Sequence, residues 1–125
     1  MLVDTHVLLD LLAGGERLGS RAQDVASGEQ VFVSSVSIWE IPINRRTGRL
    51  RIDDGYLAAI SQSGFRSLPL LAEHAAGIDE VEGLGRHDPF DRVLLSQARI
   101  EGLDLDTWDR AILAAGLPFV RDARF

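Results

Sequence analysis

The chain has 125 residues, 46% hydrophobic and 26% charged, which suits one domain with a sizeable core. It contains no cysteine, excluding disulfides, thiolate metal sites and a cysteine nucleophile. All 13 basic residues are arginine, so neither the Gly-Lys cradle of a P-loop NTPase nor an Asp-plus-Lys phosphotransfer site can be built, and the net charge of −6 argues against gripping nucleic acid by bulk electrostatics.

No apolar run approaches the length of a membrane span. The N-terminus, MLVDTHVLLDLLAGG, carries no basic leader region, and we expect mature sequence and a cytoplasmic location. Leu2 and Val3 read as a short buried strand, and Val7, Leu8, Leu11 and Leu12 recur at helical spacing, so Asp4 sits at a strand-to-helix turn. After a loop at Gly14, Gly15 and Gly19, Ser20 with Gln23 opens a second helix that ends near Gly28. Val31, Phe32 and Val33 form the second predicted strand. Ser34, Ser35 and Ser37 offer caps for a third helix; Ser37 with Glu40 matches a capping box, and Pro42 should bend the helix close to Glu40. Arg45, Arg46, Arg49 and Arg51 form the one dense basic patch, readable as a solvated face or as phosphate contacts.

A further helix is predicted from Tyr56 to about Gln62, an extended stretch between Phe65 and Leu70, and a short helix from Leu71 to Ala76, where the isolated His74 reads as a surface or packing residue. The link Gly83, Leu84, Gly85 leads into HDPFDRVLLSQARIEG. There Asp88 is a good N-cap, Pro89 fits the first helical position, Asp91 falls in the first turn, and Gly102 is a C-cap. Leu103 to Asp106 reads as a strand, Asp109 begins a last helix that stops at Gly116, and Phe119 and Val120 form a final strand. Short apolar strands alternating with helices predict an α/β fold with a mainly parallel sheet.

Asp4, Glu40 and Asp109 each follow a predicted strand near a helix start, and Asp91 starts the helix before the fourth strand. In a parallel sheet those junctions share one edge, so four scattered acids can converge there. Clustered carboxylates repel unless a cation neutralises them, and oxygen-only ligands suit Mg²⁺ or Mn²⁺. A bound divalent ion would reverse the sign of the site and let an acidic protein hold a phosphodiester.

LVDTHVLLDLL, SSVSIWEI, HDPFDRVLLSQA and TWDRAI, in this order across nearly the whole chain, resemble the successive motifs of the PIN-domain family, specifically VapC-type toxins of toxin–antitoxin modules. The resemblance implies a PIN-like three-layer fold over residues 1–125, a short, mainly parallel sheet flanked by helices. It implies a Mg²⁺- or Mn²⁺-dependent endoribonuclease, usually a homodimer, neutralised by a cognate antitoxin. Asp4, Glu40, Asp91 and Asp109 match the family's acidic quartet, with Asp4 and Asp91 as principal metal ligands, Glu40 as a ligand or water-orienting base, and Asp109 the most peripheral. Thr5 matches a position that often carries a hydroxyl, and Arg45, Arg46 and Arg49 are candidate RNA contacts. Pro42, Asn44, Asp106 and Trp108 depart from the family pattern; they bear on the position of Glu40, the reach of Asp109 and the grip on RNA. The alternative is a catalytically weak PIN-like module whose main role is protein association through an apolar groove; a third reading is a small-molecule phosphohydrolase.

Overall fold

A computed structural model describes residues 1–81 and 88–125. The Gly83–Leu84–Gly85 link and His87 lie outside the described residues. The described strands are β1 (Leu2–Val3), β2 (Phe32–Ser34), β3 (Arg66–Leu68), β4 (Leu105–Thr107) and β5 (Val120–Asp122). The helices are α1 (Thr5–Leu12), α2 (Ser20–Gly28), α3 (Ser35–Arg46), α4 (Tyr56–Gln62), α5 (Ala72–Ala76), α6 (Pro89–Glu101) and α7 (Arg110–Ala114), with a 3₁₀ turn at Gly77–Glu80. No helix among them is long and apolar enough to cross a membrane.

The strands form one sheet in the order β3-β2-β1-β4-β5, every neighbouring pair parallel. Leu2 pairs with Phe32 on one side and Leu105 on the other, and Val3 with Asp106. Strand alternation divides the core: Val3 and Val33 face α1 and α2 through Val7, Leu8 and Ala22, whereas Leu2 and Leu105 face α6 and α7 through Leu94, Leu95, Ala98 and Ile112. The result is the expected three-layer α/β architecture. The chain builds outward from β1 to β3 and then returns to place β4 against the other side of β1, so the strand order reverses between β1 and β4. A crevice opens beyond the carboxyl ends of strands at such a reversal, beside the residues that follow β1 and β4.

Several local expectations need correction. Ser20 does not cap α2: Gly19 is the N-cap residue and has no side chain to do so, while the C-terminal segment supplies the acceptors, Gly19 N–H donating to Ala123 O and Ala22 N–H to Phe125 O, both at 2.9 Å. A Cβ at Gly19 would come within 2.3 Å of Arg124 O, so only glycine allows this close approach. The Ser37–Glu40 capping box does not form. Ser34 is the N-cap of α3, accepting from Val36 N–H at 3.0 Å, which puts Ser37 inside the helix, its hydroxyl buried with no hydrogen-bond partner among the described residues, and releases Glu40 from capping. Pro42 lies within α3, which continues to Arg46.

Gly102 ends α6 in the left-handed region, φ +67°, as read from the sequence. Leu103 N–H closes that helix end onto Ala98 O, which holds Leu103 out of the sheet and moves β4 two residues later than expected. His74 is fully buried. Its Nδ1 accepts from Leu71 N–H at 3.0 Å, so Nε2 carries the proton and donates to Glu101 at 2.7 Å, tying α5 to α6.

Candidate active site

Asp4 leaves β1 in extended conformation and caps α1, Oδ1 accepting from Val7 N–H at 2.9 Å. Its Oδ2 accepts from the hydroxyl of Thr107, at the end of β4. That hydroxyl in turn accepts from Asp109 N–H at 3.0 Å, so its own proton must point at Asp4. Asp109 caps α7, Oδ1 accepting from Ala111 N–H at 2.9 Å and Ile112 N–H at 3.1 Å. Asp4 and Asp109 are therefore fixed to each other through one threonine, and each sits where a helix N-terminus favours negative charge.

Glu40 projects from α3, one strand away, and is half-buried. The buried Thr5 hydroxyl lies beside it and favours its ionised form, although it makes no well-aligned hydrogen bond. Asp91 is the third residue of α6, behind Asp88 at the N-cap, whose Oδ1 accepts from Phe90 N–H at 2.8 Å. Asp4, Glu40, Asp91 and Asp109 all line one cavity of about 400 Å³, together with Thr5, His6, Asn44, Arg49, Asp88 and Phe90. The expected convergence of four remote acids on one pocket is present.

Electrostatics shows the strain of that arrangement. Burial pushes the Asp4 carboxyl, 4% exposed, above its ordinary pKa; the Thr107 and Val7 hydrogen bonds pull it down, and the Asp109 charge adds to the rise. Burial also raises Glu40, against the Thr5 hydroxyl and with help from Asp88 and Asp4. His6, on the same wall, favours the ionised form of both.

Among the described residues no three His, Asp or Glu side chains form a ready-made cage for a metal ion. What the site offers is a cavity whose candidate ligands are mainly carboxylate oxygens, two of them, on Asp4 and Glu40, disfavoured in their charged form by burial. That suits Mg²⁺, which keeps several waters and takes only one or two protein carboxylates, and it does not suit zinc.

The remaining expectations divide. Arg49 lines the acidic cavity; Arg45 is paired with Asp54 beside a different cavity, and Arg46 is exposed and lines neither. Asn44 faces the acids. Trp108 does not line the cavity: its ring packs against the core under the Arg17 guanidinium, 4.4 Å away. Asp106 is fully buried and points away from the site to Arg21, at 2.8 Å. Sequence reasoning missed three contributors. Thr107 was hidden because its role lies across two strands, His6 because it follows the motif acid within a helix, and Asp88 because capping accounted for it.

The PIN domain family model matches residues 1–116. Among solved structures, the chain is similar to a toxin–antitoxin complex from Klebsiella pneumoniae, with 19% identity, TM-score 0.66 and coverage of 98% of this chain and 96% of that one. It is similar also to VapC20 of Mycobacterium tuberculosis, a Sarcin-Ricin loop cleaving toxin, at 24% identity and TM-score 0.62, covering 97% and 98%. FitAcB from Neisseria gonorrhoeae matches at 19% identity and TM-score 0.64, covering 98% and 96%. Among curated protein sequences none matches. A family match over nearly the whole chain, on the fold those structures share, leads to one conclusion: this protein belongs to the PIN domain family.

Proposed function

We propose that this single-domain protein is a Mg²⁺- or Mn²⁺-dependent endoribonuclease toxin, and that Asp4, Glu40, Asp91 and Asp109 are its catalytic acids. The observation that carries the reading is the shared cavity. Four carboxylates from four segments line it, and two of them, Asp4 and Glu40, are held above their ordinary pKa chiefly by burial, with neighbouring carboxylates adding to the rise. Such a set stabilises the fold least when empty of cations and most when it holds one.

Asp4 and Asp91 would hold the ion, with Glu40 and Asp109 completing the set. A divalent ion bound there supplies Lewis-acid stabilisation of phosphodiester oxygens and a more acidic water. Thr107 orients Asp4, and Thr5 favours the ionised form of Glu40, to which we assign the role of a ligand or water-orienting base. Arg49 is the phosphate contact on the same wall.

A second cavity, about 850 Å³ and lined by Leu9, Leu12, Leu50, Ile52 and Tyr56 with Arg45, Arg51 and Asp53 among them, suits the apolar face of an amphipathic segment. Relatives of the same fold are described as toxin–antitoxin complexes, and we assign this groove to a cognate antitoxin. Exposed Leu57, Leu70, Leu71 and Ile100 give apolar surface for a homodimer, and the expected setting is the cytoplasm.

The test is cleavage of RNA with Mg²⁺ or Mn²⁺ by the native chain, Asp4→Asn and Asp91→Asn. Metal-dependent cleavage lost in both variants supports the assignment. Cleavage that survives both counts against it, and no cleavage at any metal concentration favours the alternative, an association module working through the larger groove.

A further inference from the structure

We infer that Trp39 and Phe90 form an aromatic lip on the acidic cavity that stacks an unpaired base of the bound strand, so that ring contact selects single-stranded over paired RNA. The inference rests on the ribonuclease reading above and adds the feature that recognises the substrate. Trp39 is 59% exposed, next to Glu40 on α3. Its indole makes no hydrogen bond among the described residues. The ring meets Phe90 at 5.1 Å between centroids with the planes 72° apart. In that edge-on contact Phe90 covers at most one face of the indole, and more than half of the residue stays exposed.

Position ties the pair to the chemistry. Phe90 lines the acidic cavity and immediately precedes Asp91, while Ile43, one helical turn beyond Trp39, lines it too. Trp39 stands beside that cavity rather than on its wall, against Phe90 and next in sequence to Glu40, so a nucleotide with its phosphate at the acids and Arg49 would carry its base to the exposed ring. Stacking is sequence-tolerant, and it requires a base face that a duplex already uses against its neighbours. The larger apolar cavity adjoins the acidic one through Leu9 and Leu50, but the ring that Trp39 touches, Phe90, belongs to the acidic one, so a protein segment seated in the larger cavity is the less suited partner for the indole.

The experiment compares native protein with Trp39→Phe, Trp39→Leu and Trp39→Ala on a fluorogenic single-stranded RNA and on its duplex. Loss of stacking should raise KM for the single strand about tenfold in Trp39→Ala and Trp39→Leu, with kcat held within about threefold. Trp39→Phe should keep most of the affinity, and the preference for single strand over duplex should fall in the Ala and Leu variants alone. A KM unchanged in Trp39→Ala, or equal losses in Phe, Leu and Ala, overturns the inference while leaving the nuclease reading intact.

A binding arm decides the matter independently of turnover. With Ca²⁺ in place of Mg²⁺, a mixed-sequence single-stranded 12-mer should quench tryptophan emission, its duplex should not, and Trp39→Phe should abolish the response. No quenching by the single strand overturns the inference even if RNA is cleaved. A self-association that Trp39→Ala removes while KM stays unchanged makes the lip a contact between copies and equally overturns it.

Discussion

The Thr107 hydroxyl donates to Oδ2 of Asp4 while accepting from Asp109 N–H, so two acids 105 residues apart in sequence are set by one side chain. Thr107→Val removes the hydroxyl at constant shape and should lower activity and Mn²⁺ affinity by about 10–100-fold, the usual effect of losing a group that orients a metal ligand. Thr107→Ser should retain most of both. Calorimetric Mn²⁺ titration beside a cleavage assay checks this; equal behaviour of Val and Ser would remove the threonine from the mechanism.

The raised carboxyls predict a pH dependence of stability. Asp4, Glu40 and Asp106 titrate above 3.8, 4.5 and 3.8, their ordinary values, chiefly because burial disfavours their charge. The native state then binds more protons than the unfolded one, and the stability they contribute is present below the ordinary range and lost as pH rises through the native values. Asp54 and Asp122, lowered by Arg45 and Arg124, act oppositely below 3.8 but are exposed or paired at the surface. Metal-free protein should therefore lose Tm as pH rises above the ordinary carboxylate range. Asp4→Asn should flatten that slope, and Mg²⁺ should raise Tm more at pH 8 than at pH 5. Thermal melts with EDTA or Mg²⁺ measure it.

The arginine patch separates by position. Arg49→Ala should raise KM for RNA about tenfold, the worth of one charge-assisted hydrogen bond to phosphate. Arg45→Ala should change KM less than about twofold, since Arg45 faces Asp54 and the other groove. Equal effects from the two would point to diffuse attraction, and the salt dependence of KM would then fall by the same amount in each.

Asp106 predicts a stability effect remote from catalysis. Its Oδ2 is held by Arg21, and its Oδ1 is buried with no hydrogen-bond partner among the described residues. Arg21→Ala should cost about 2–3 kcal/mol, less than for a fully buried pair because Arg21 is 39% exposed. Arg21→Met with Asp106→Val should recover most of it by replacing the pair with apolar packing. Urea unfolding distinguishes the outcomes; a double variant as weak as the single one would mean the pair is more than compensated.

Periodicity and turn chemistry were enough to read the α/β class, the cap at Asp88 with Pro89 behind it, the stop at Gly102 and the four acids at strand–helix junctions, because each is set by residues within a few positions of one another. Other features are settled across the sheet or by distant segments. Asp106 is tolerated in a buried strand because α2 delivers Arg21, Ser20 is relieved of capping by the C-terminus, and β4 starts late because Leu103 closes α6. Only tertiary contact decided that Thr107 joins Asp4 to Asp109, that Arg49 and not Arg45 faces the acids, and that Trp39 meets Phe90. Those relations depend on strand order, and strand order comes from the burial of both sheet faces together, which no local stretch of the chain encodes.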